Sequence, residues 1–159
     1  MPITRAPLVN IGGVLSELPK TEVLQGFPME GTNVMTSANG AGVAIKKGMA
    51  ANVDSAGKLR LSNASDANAY NVLGLASSDI AVDGMGSIML EGIMEKADWT
   101  DVAGTTALTP GAFYFLSATT AGMISTDQPD TGYSVRLGVA LGTTKLKLTL
   151  PPQVIKLAE

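Results

Sequence analysis

The chain has 159 residues, 45% of them hydrophobic but only 4% aromatic, a net charge of −3, and neither histidine nor cysteine. Those two absences remove the commonest general base, the commonest metal ligand and the best intrinsic nucleophile, which excludes zinc sites, Cys-His nucleophiles and Ser-His-Asp triads. They also exclude a disulfide framework, and with no basic stripe to neutralise phosphates the balance argues against nucleic acid as a direct partner.

Residues 1–35 read as an extended N-terminal arm. Pro2, Pro7, Pro19 and Pro28 interrupt any helix, yet Leu8, Val9, Ile11, Val14, Leu15, Leu18, Val23 and Leu24 are too apolar for a free linker. Such an arm lies on something, either its own β domain or a neighbouring subunit, and apolar content does not distinguish the two. The first residues lack the apolar run of a signal peptide, and no stretch approaches eighteen apolar residues, so the expectation is a soluble protein made in the cytoplasm with no membrane partner.

From residue 43 the hydrophobic period is two, the signature of strands with one buried face. Strands are expected over residues 58–62, 70–76, 87–94, 112–116, 134–141 and 145–150, the last two joined as a hairpin through Gly142-Thr143. Turns are expected at Ala38-Asn39-Gly40, Ser55-Ala56-Gly57, Val82-Asp83-Gly84, Thr109-Pro110-Gly111 and Asp130-Thr131-Gly132. A helix of one or two turns is expected over 95–102, with Trp99 as a packing anchor rather than a ligand-stacking ring. Pro151-Pro152 should end the last strand and leave 151–159 as a C-terminal tail.

Many short strands with this punctuation specify an all-β fold, a small β-barrel or β-sandwich. Residues 43–150 also look like one pattern written twice. Gly48 and Gly111, Gly57 and Gly122, and Gly74 and Gly138 are separated by 63, 65 and 64 residues, and the last pair sits in Leu73-Gly74-Leu75-Ala76 and Leu137-Gly138-Val139-Ala140. Glycines in register mean turns and bulges in register, so the expectation is an internally duplicated fold with β units at 36–98 and 99–150.

Candidate chemistry is sparse. Gly40-Ala41-Gly42 and Gly84-Met85-Gly86 lack the third glycine and the helix of a nucleotide loop, and read as tight turns. Asp79, Asp83 and Glu91 lack the alternating oxygen ligands of a calcium loop. Asp98 and Asp101 beside Trp99 could form a carboxylate pair, but beside a short helix they read as caps or solvated charge. Lys46-Lys47 reads as a solvated pair, and the methionines, Met85, Met89 and Met94 among them, as core filling. In a strand Phe113-Tyr114-Phe115 would set Tyr114 opposite the two phenylalanines, a poor stacking platform. No catalytic residue, metal or cofactor is expected.

The run from Leu108 through Thr109-Pro110-Gly111-Ala112-Phe113-Tyr114-Phe115-Leu116-Ser117, with Ala121-Gly122-Met123-Ile124, Gly132-Tyr133-Ser134-Val135-Arg136-Leu137-Gly138-Val139-Ala140 and Thr144-Lys145-Leu146-Lys147-Leu148, resembles a β module of virion proteins of tailed bacteriophages and prophages. The opening Ile3-Thr4-Arg5-Ala6-Pro7-Leu8-Val9-Asn10-Ile11-Gly12-Gly13, followed by Glu17-Leu18-Pro19, also resembles the start of such proteins. The module occurs in tail-fibre, baseplate, collar and head-decoration proteins, and its motifs are structural, so no catalytic residue carries over. The size of the chain suits a head decoration (cement) protein. The resemblance then implies a virion location, a homotrimer, and the major capsid protein or another virion protein as partner. Leu8, Val9, Ile11, Leu15 and Leu18 are the expected partner-binding residues. A tail, collar, baseplate or fibre component, and a carbohydrate-binding module, are the alternatives.

Overall fold

The computed structural model describes residues 8–11, 14–17 and 33–157 and divides into two compact units, Met1–Thr32 and Asn33–Glu159. In the first unit, β1 (Leu8–Ile11) and β2 (Val14–Glu17) form an antiparallel hairpin with Leu8 opposite Glu17 and Ile11 opposite Val14. Over these residues the expected extended arm is therefore a hairpin. The sequence between the strands is Gly12-Gly13, a pair suited to a two-residue connection, and on either side stand segments rich enough in Val, Ile and Leu to pair.

The second unit contains β3 (Val34–Ala38), β4 (Ala50–Val53), β5 (Leu59–Leu61), β6 (Gly74–Ala76), β7 (Met85–Met89), β8 (Gly92–Glu95), α1 (Thr100–Ala103), β9 (Phe113–Leu116), β10 (Ile124–Ser125), β11 (Tyr133–Ala140) and β12 (Lys145–Lys156). The all-β expectation holds: the strands form two five-stranded antiparallel sheets. Read across, one runs β5-β4-β6-β7-β3 and the other β10-β9-β11-β12-β8. Each strand of the second stands five places after its counterpart in the first, so the two sheets share one connectivity. The change of sheet falls between β7 and β8. An isolated parallel bridge between Asn39 and Leu59 brings the two edges of the first sheet together at one point.

The likeness extends to individual hydrogen bonds. Gly48 donates to Ala76 O at 2.8 Å and Ala76 donates to Met49 O at 2.9 Å; in the second half Gly111 donates to Ala140 O at 2.8 Å and Ala140 to Ala112 O at 3.0 Å. Gly74 and Gly138 hold matching places deep in their sheets. A β-carbon on Gly74 would overlap the carbonyl of Met89 on β7, and one on Gly138 would overlap the carbonyl of Lys147 on β12. Only hydrogen fits at either position.

One apolar core serves both halves. Ala50, Ala64, Val72 and Leu75 of the first pack with Met94, Trp99, Val102, Leu108, Tyr114, Leu116, Ile124, Val135, Leu137, Ala140, Leu146 and Leu148. A smaller cluster, Ile45, Ala51, Leu59, Ala76, Ile80 and Ile88, belongs to the first half alone. The rings of Tyr70 and Tyr133 stack across the halves at 3.8 Å between centroids. Trp99 is fully buried in the shared core, the anchoring place expected of it.

Several elements differ from the sequence reading for definite reasons. The single strand expected over 87–94 is two strands in different sheets, separated at Leu90-Glu91, with Gly92 at φ 121° opening the second. The helix is the one turn Thr100–Ala103, because Glu95 belongs to β8, and it closes at Gly104 in the left-handed conformation. Pro151-Pro152 do not end β12. Arg136 pairs with Gln153 and Gly138 with Leu148, so four residues of β12, both prolines included, face Leu137 alone; prolines have no N–H to donate, and this irregularity takes them out of the ladder. The chain bends after Asn39, within the expected Ala38-Asn39-Gly40 turn region. Asn39 itself is buried, its Oδ1 accepts from Ala41 N–H at 2.8 Å, and its Nδ2 donates to Val43 O at 2.8 Å and Ala81 O at 3.0 Å.

Substituting Gly74→Ala or Gly138→Ala should each cost about 2 kcal/mol or more by overpacking against backbone. Gly142→Ala, whose β-carbon meets open space, should change stability by less than about 0.5 kcal/mol. Urea midpoints of the three variants check this, and a Gly138→Ala protein as stable as the parent would contradict the close approach.

Candidate interaction surface

The residues expected to bind a partner fall mostly in the hairpin: Leu8, Val9 and Ile11 in β1, and Leu15 in β2 opposite Asn10. Leu18 lies outside the described residues.

The charged residues weighed as chemistry have local duties. Asp98 Oδ1 accepts from Thr100 Oγ1 at 2.6 Å and from Thr100 N–H at 2.8 Å at the start of α1, while Asp101 faces Lys96 Nζ at 3.4 Å. The two carboxylates therefore have separate partners. The Thr100 hydroxyl, then its N–H, holds the Asp98 carboxyl below the usual aspartate value. Asp79 accepts from Lys47 N–H at 2.8 Å and pairs with Lys46 Nζ at 3.2 Å, and those contacts, the backbone one foremost, lower its pKa. Asp83 takes φ 58° in the turn closed by Gly84 N–H on Ala81 O. Among the described residues, no group of three or more acidic side chains could hold a metal ion.

The surface that stands out is the outer face of the second sheet. Pairing aligns Ile93 with Lys147, Lys147 with Val139, and Val139 with Phe113, a row across four strands. Next to it Gln153 pairs with Arg136 and Arg136 with Phe115; beyond that Ile155 pairs with Ser134. The opposite side of these strands is core: Met94, Leu146, Leu148, Leu137, Ala140, Tyr114 and Leu116 are all buried. Ile93, Phe113 and Ile155 are each about half exposed, at 51%, 50% and 49%.

Alternation in β9 is as the sequence indicates. Tyr114 points inward, its hydroxyl accepting from Thr109 N–H at 3.0 Å, and Phe113 and Phe115 share the outer side. What the sequence did not reveal is their company. The Arg136 guanidinium lies 4.9 Å from the centroid of the Phe113 ring, a cation–π distance. Phe113, Phe115, Gln128, Ser134, Arg136, Gln153 and Ile155 line a shallow cleft of about 160 Å³. Glu95, opposite Lys145 and 3.8 Å from its Nζ, is a carboxylate of this face, and Glu91 lines a cleft with Ile93 and Lys147 at its edge. Arg136 forms no ion pair among the described residues.

No family model, curated protein or solved structure matches this chain.

The aspartate contacts set a pH dependence. A folded pKa below the unfolded one means that the ionised form favours folding: the contribution is present above about pH 4 and is lost as pH falls through the lower folded values. Melting temperatures of Asp79→Asn and Asp98→Asn should therefore fall less steeply than the parent's between about pH 5 and 2. Both groups are solvent-exposed, so the effect is small. Parallel curves for parent and variants would contradict the assignment.

Proposed function

We propose that this chain is a structural protein of tailed-bacteriophage virions, a head decoration (cement) protein that binds the capsid shell as a homo-oligomer, a trimer, and has no catalytic role. The observation that carries the reading is the resemblance of residues 108–148 to a virion β module, together with where those residues lie: they build β9, β10, β11 and the first third of β12, in a continuous sheet with one face in the core and the other open. Stabilisation of a shell under internal pressure requires buried contact area that bursting would have to expose, and many copies multiply a modest affinity. The residues Leu8, Val9, Ile11, Leu15 and Leu18 are the proposed contacts of the arm with the shell or a sister subunit, and the major capsid protein is the proposed partner.

We also infer that the two sheets descend from one duplicated unit. Common connectivity, repeated hydrogen bonds at Gly48 and Gly111, matching close approaches at Gly74 and Gly138, and φ values of 76° and 79° at Gly57 and Gly122 support that descent.

The test is the copy number of the chain in purified particles, read from a stained gel. Hundreds of copies, with binding to empty heads, are expected; a few copies at one vertex or along the tail would make it a tail, collar or fibre component, and absence from particles would overturn the virion reading. Deleting residues 1–25 should leave the β unit folded by circular dichroism yet abolish attachment to heads. Undiminished occupancy would defeat the role given to the arm.

A further inference from the structure

We propose that the outer face of the second sheet docks an acidic, apolar-flanked segment of a partner protein, with Arg136 receiving a carboxylate of that segment. This goes beyond the virion reading and stands on the chemistry of the face itself. The chain as a whole carries a net charge of −3, yet the outward positions of β8, β11 and β12 hold three cations, Arg136, Lys145 and Lys147, against Glu95 and, at the edge just before β8, Glu91, which lines a cleft with Lys147. Glu95 lies with Lys145, which leaves Arg136 and Lys147 without an ion pair among the described residues.

The arrangement selects the occupant. The Arg136 guanidinium lies over Phe113 at 4.9 Å from the ring centroid, and its donors suit a bidentate carboxylate. The adjoining cleft of about 160 Å³ is small beside ordinary cofactor sites of roughly 300–1,000 Å³ and is of the scale of one side chain. Ile93 and Phe113, half exposed at the two ends of the row that includes Lys147, offer apolar contact on either side of the charge. Nucleic acid would ask for a run of cations along a backbone; here cations alternate with apolar residues. A protein segment that carries acidic and apolar side chains in turn fits that pattern, and charge complementarity steers it to this face.

The experiment titrates the full chain, labelled for amide NMR, with a soluble peptide of alternating glutamate and leucine, and separately with its lysine–leucine counterpart. Expected are saturable shifts confined to β8, β9, β11 and β12 with the glutamate peptide alone, weakened by added salt, and at least tenfold weaker binding for Arg136→Glu, with Arg136→Lys intermediate. Lys147→Glu, at an exposed position, provides a second variant should Arg136→Glu lose its melting transition, and should also weaken binding. Absence of saturable shifts, shifts elsewhere, or equal response to the lysine peptide would overturn the proposal. Concentration-dependent broadening of the same amides without peptide would also overturn it, by showing that a second copy of the chain covers the face. These outcomes are independent of whether the chain co-purifies with particles.

Discussion

Between Gly138 and the Lys147 carbonyl there is room for a hydrogen atom and nothing more, so β11 and β12 approach there more closely than two strands bearing side chains could. At the same point the pairing of β11 shifts: Arg136 is matched to Gln153 on one side and Phe115 on the other, Gly138 to Leu148 and Tyr114. The register shift between Arg136 and Gly138 against both neighbours is a bulge at Leu137, which breaks strict alternation. The consequence is that Arg136 and Val139, three residues apart, share the outer side. Arg136 is thereby diagonal to Phe113, the partner of Val139, and the guanidinium reaches the ring. The open face depends on a backbone restriction.

The first sheet has the same restriction at Gly74 against Met89, but there the corresponding side is partly covered by the shared core. The outermost pair of the first sheet joins Val34 to Met89, Thr36 to Ser87 and Ala38 to Met85, with the Thr36 and Ser87 hydroxyls 2.8 Å apart. No cation stands among these six positions. The same side of the scaffold thus has two fates: in the row Val34-Met89-Leu75-Ala50, Leu75 and Ala50 are buried in the shared core with Met89 packed against it, whereas in its counterpart Ile93-Lys147-Val139-Phe113 the end residues are half exposed.

How far the sequence could be read follows from the same distinction. Alternation in 145–150 announced the start of β12, and the aliphatic residues of 134–141 announced β11; their alternation sets Val139 on the face of Val135 and Leu137, whereas the bulge turns it to the outer side. The start of β12 was legible and its end was not: a proline pair signals a strand terminus unless a partner strand omits the matching residues, and that omission at Leu137 is a fact of pairing. Asn39-Gly40 carries a strong local turn signal, while the burial of Asn39 depends on carbonyls of Val43 and Ala81 brought to it by the fold. The candidate surface was hidden for a similar reason. Ile93, Phe113, Arg136 and Lys147 lie in four separate segments, and period-two patterning tells which side of a strand a residue takes but not which strands are neighbours.

A core this poor in aromatics still needs something to join its halves, and Trp99 does so through space left by a glycine. The ring edge at Cζ3 is 3.3 Å from where a β-carbon on Gly48 would be, and Val102 Cγ2 is 3.5 Å from it, so the first half yields volume that the helical turn of the second half fills. Ala50, Ala64, Val72 and Leu75 depend on the same cluster for their burial. Separating the halves would expose these side chains at about 25 cal/mol per Å² of apolar surface, and the small cluster around Ile45 and Ile88 would be left to hold the first sheet alone. The first sheet thus gives its Ala50 and Leu75 side to the shared core, while Ala51, Leu59, Ala76 and Ile88 fill the smaller cluster on its other side. In the second sheet the side left for a partner is the outer one, and there the bulge at Leu137 has set a guanidinium beside two phenylalanines.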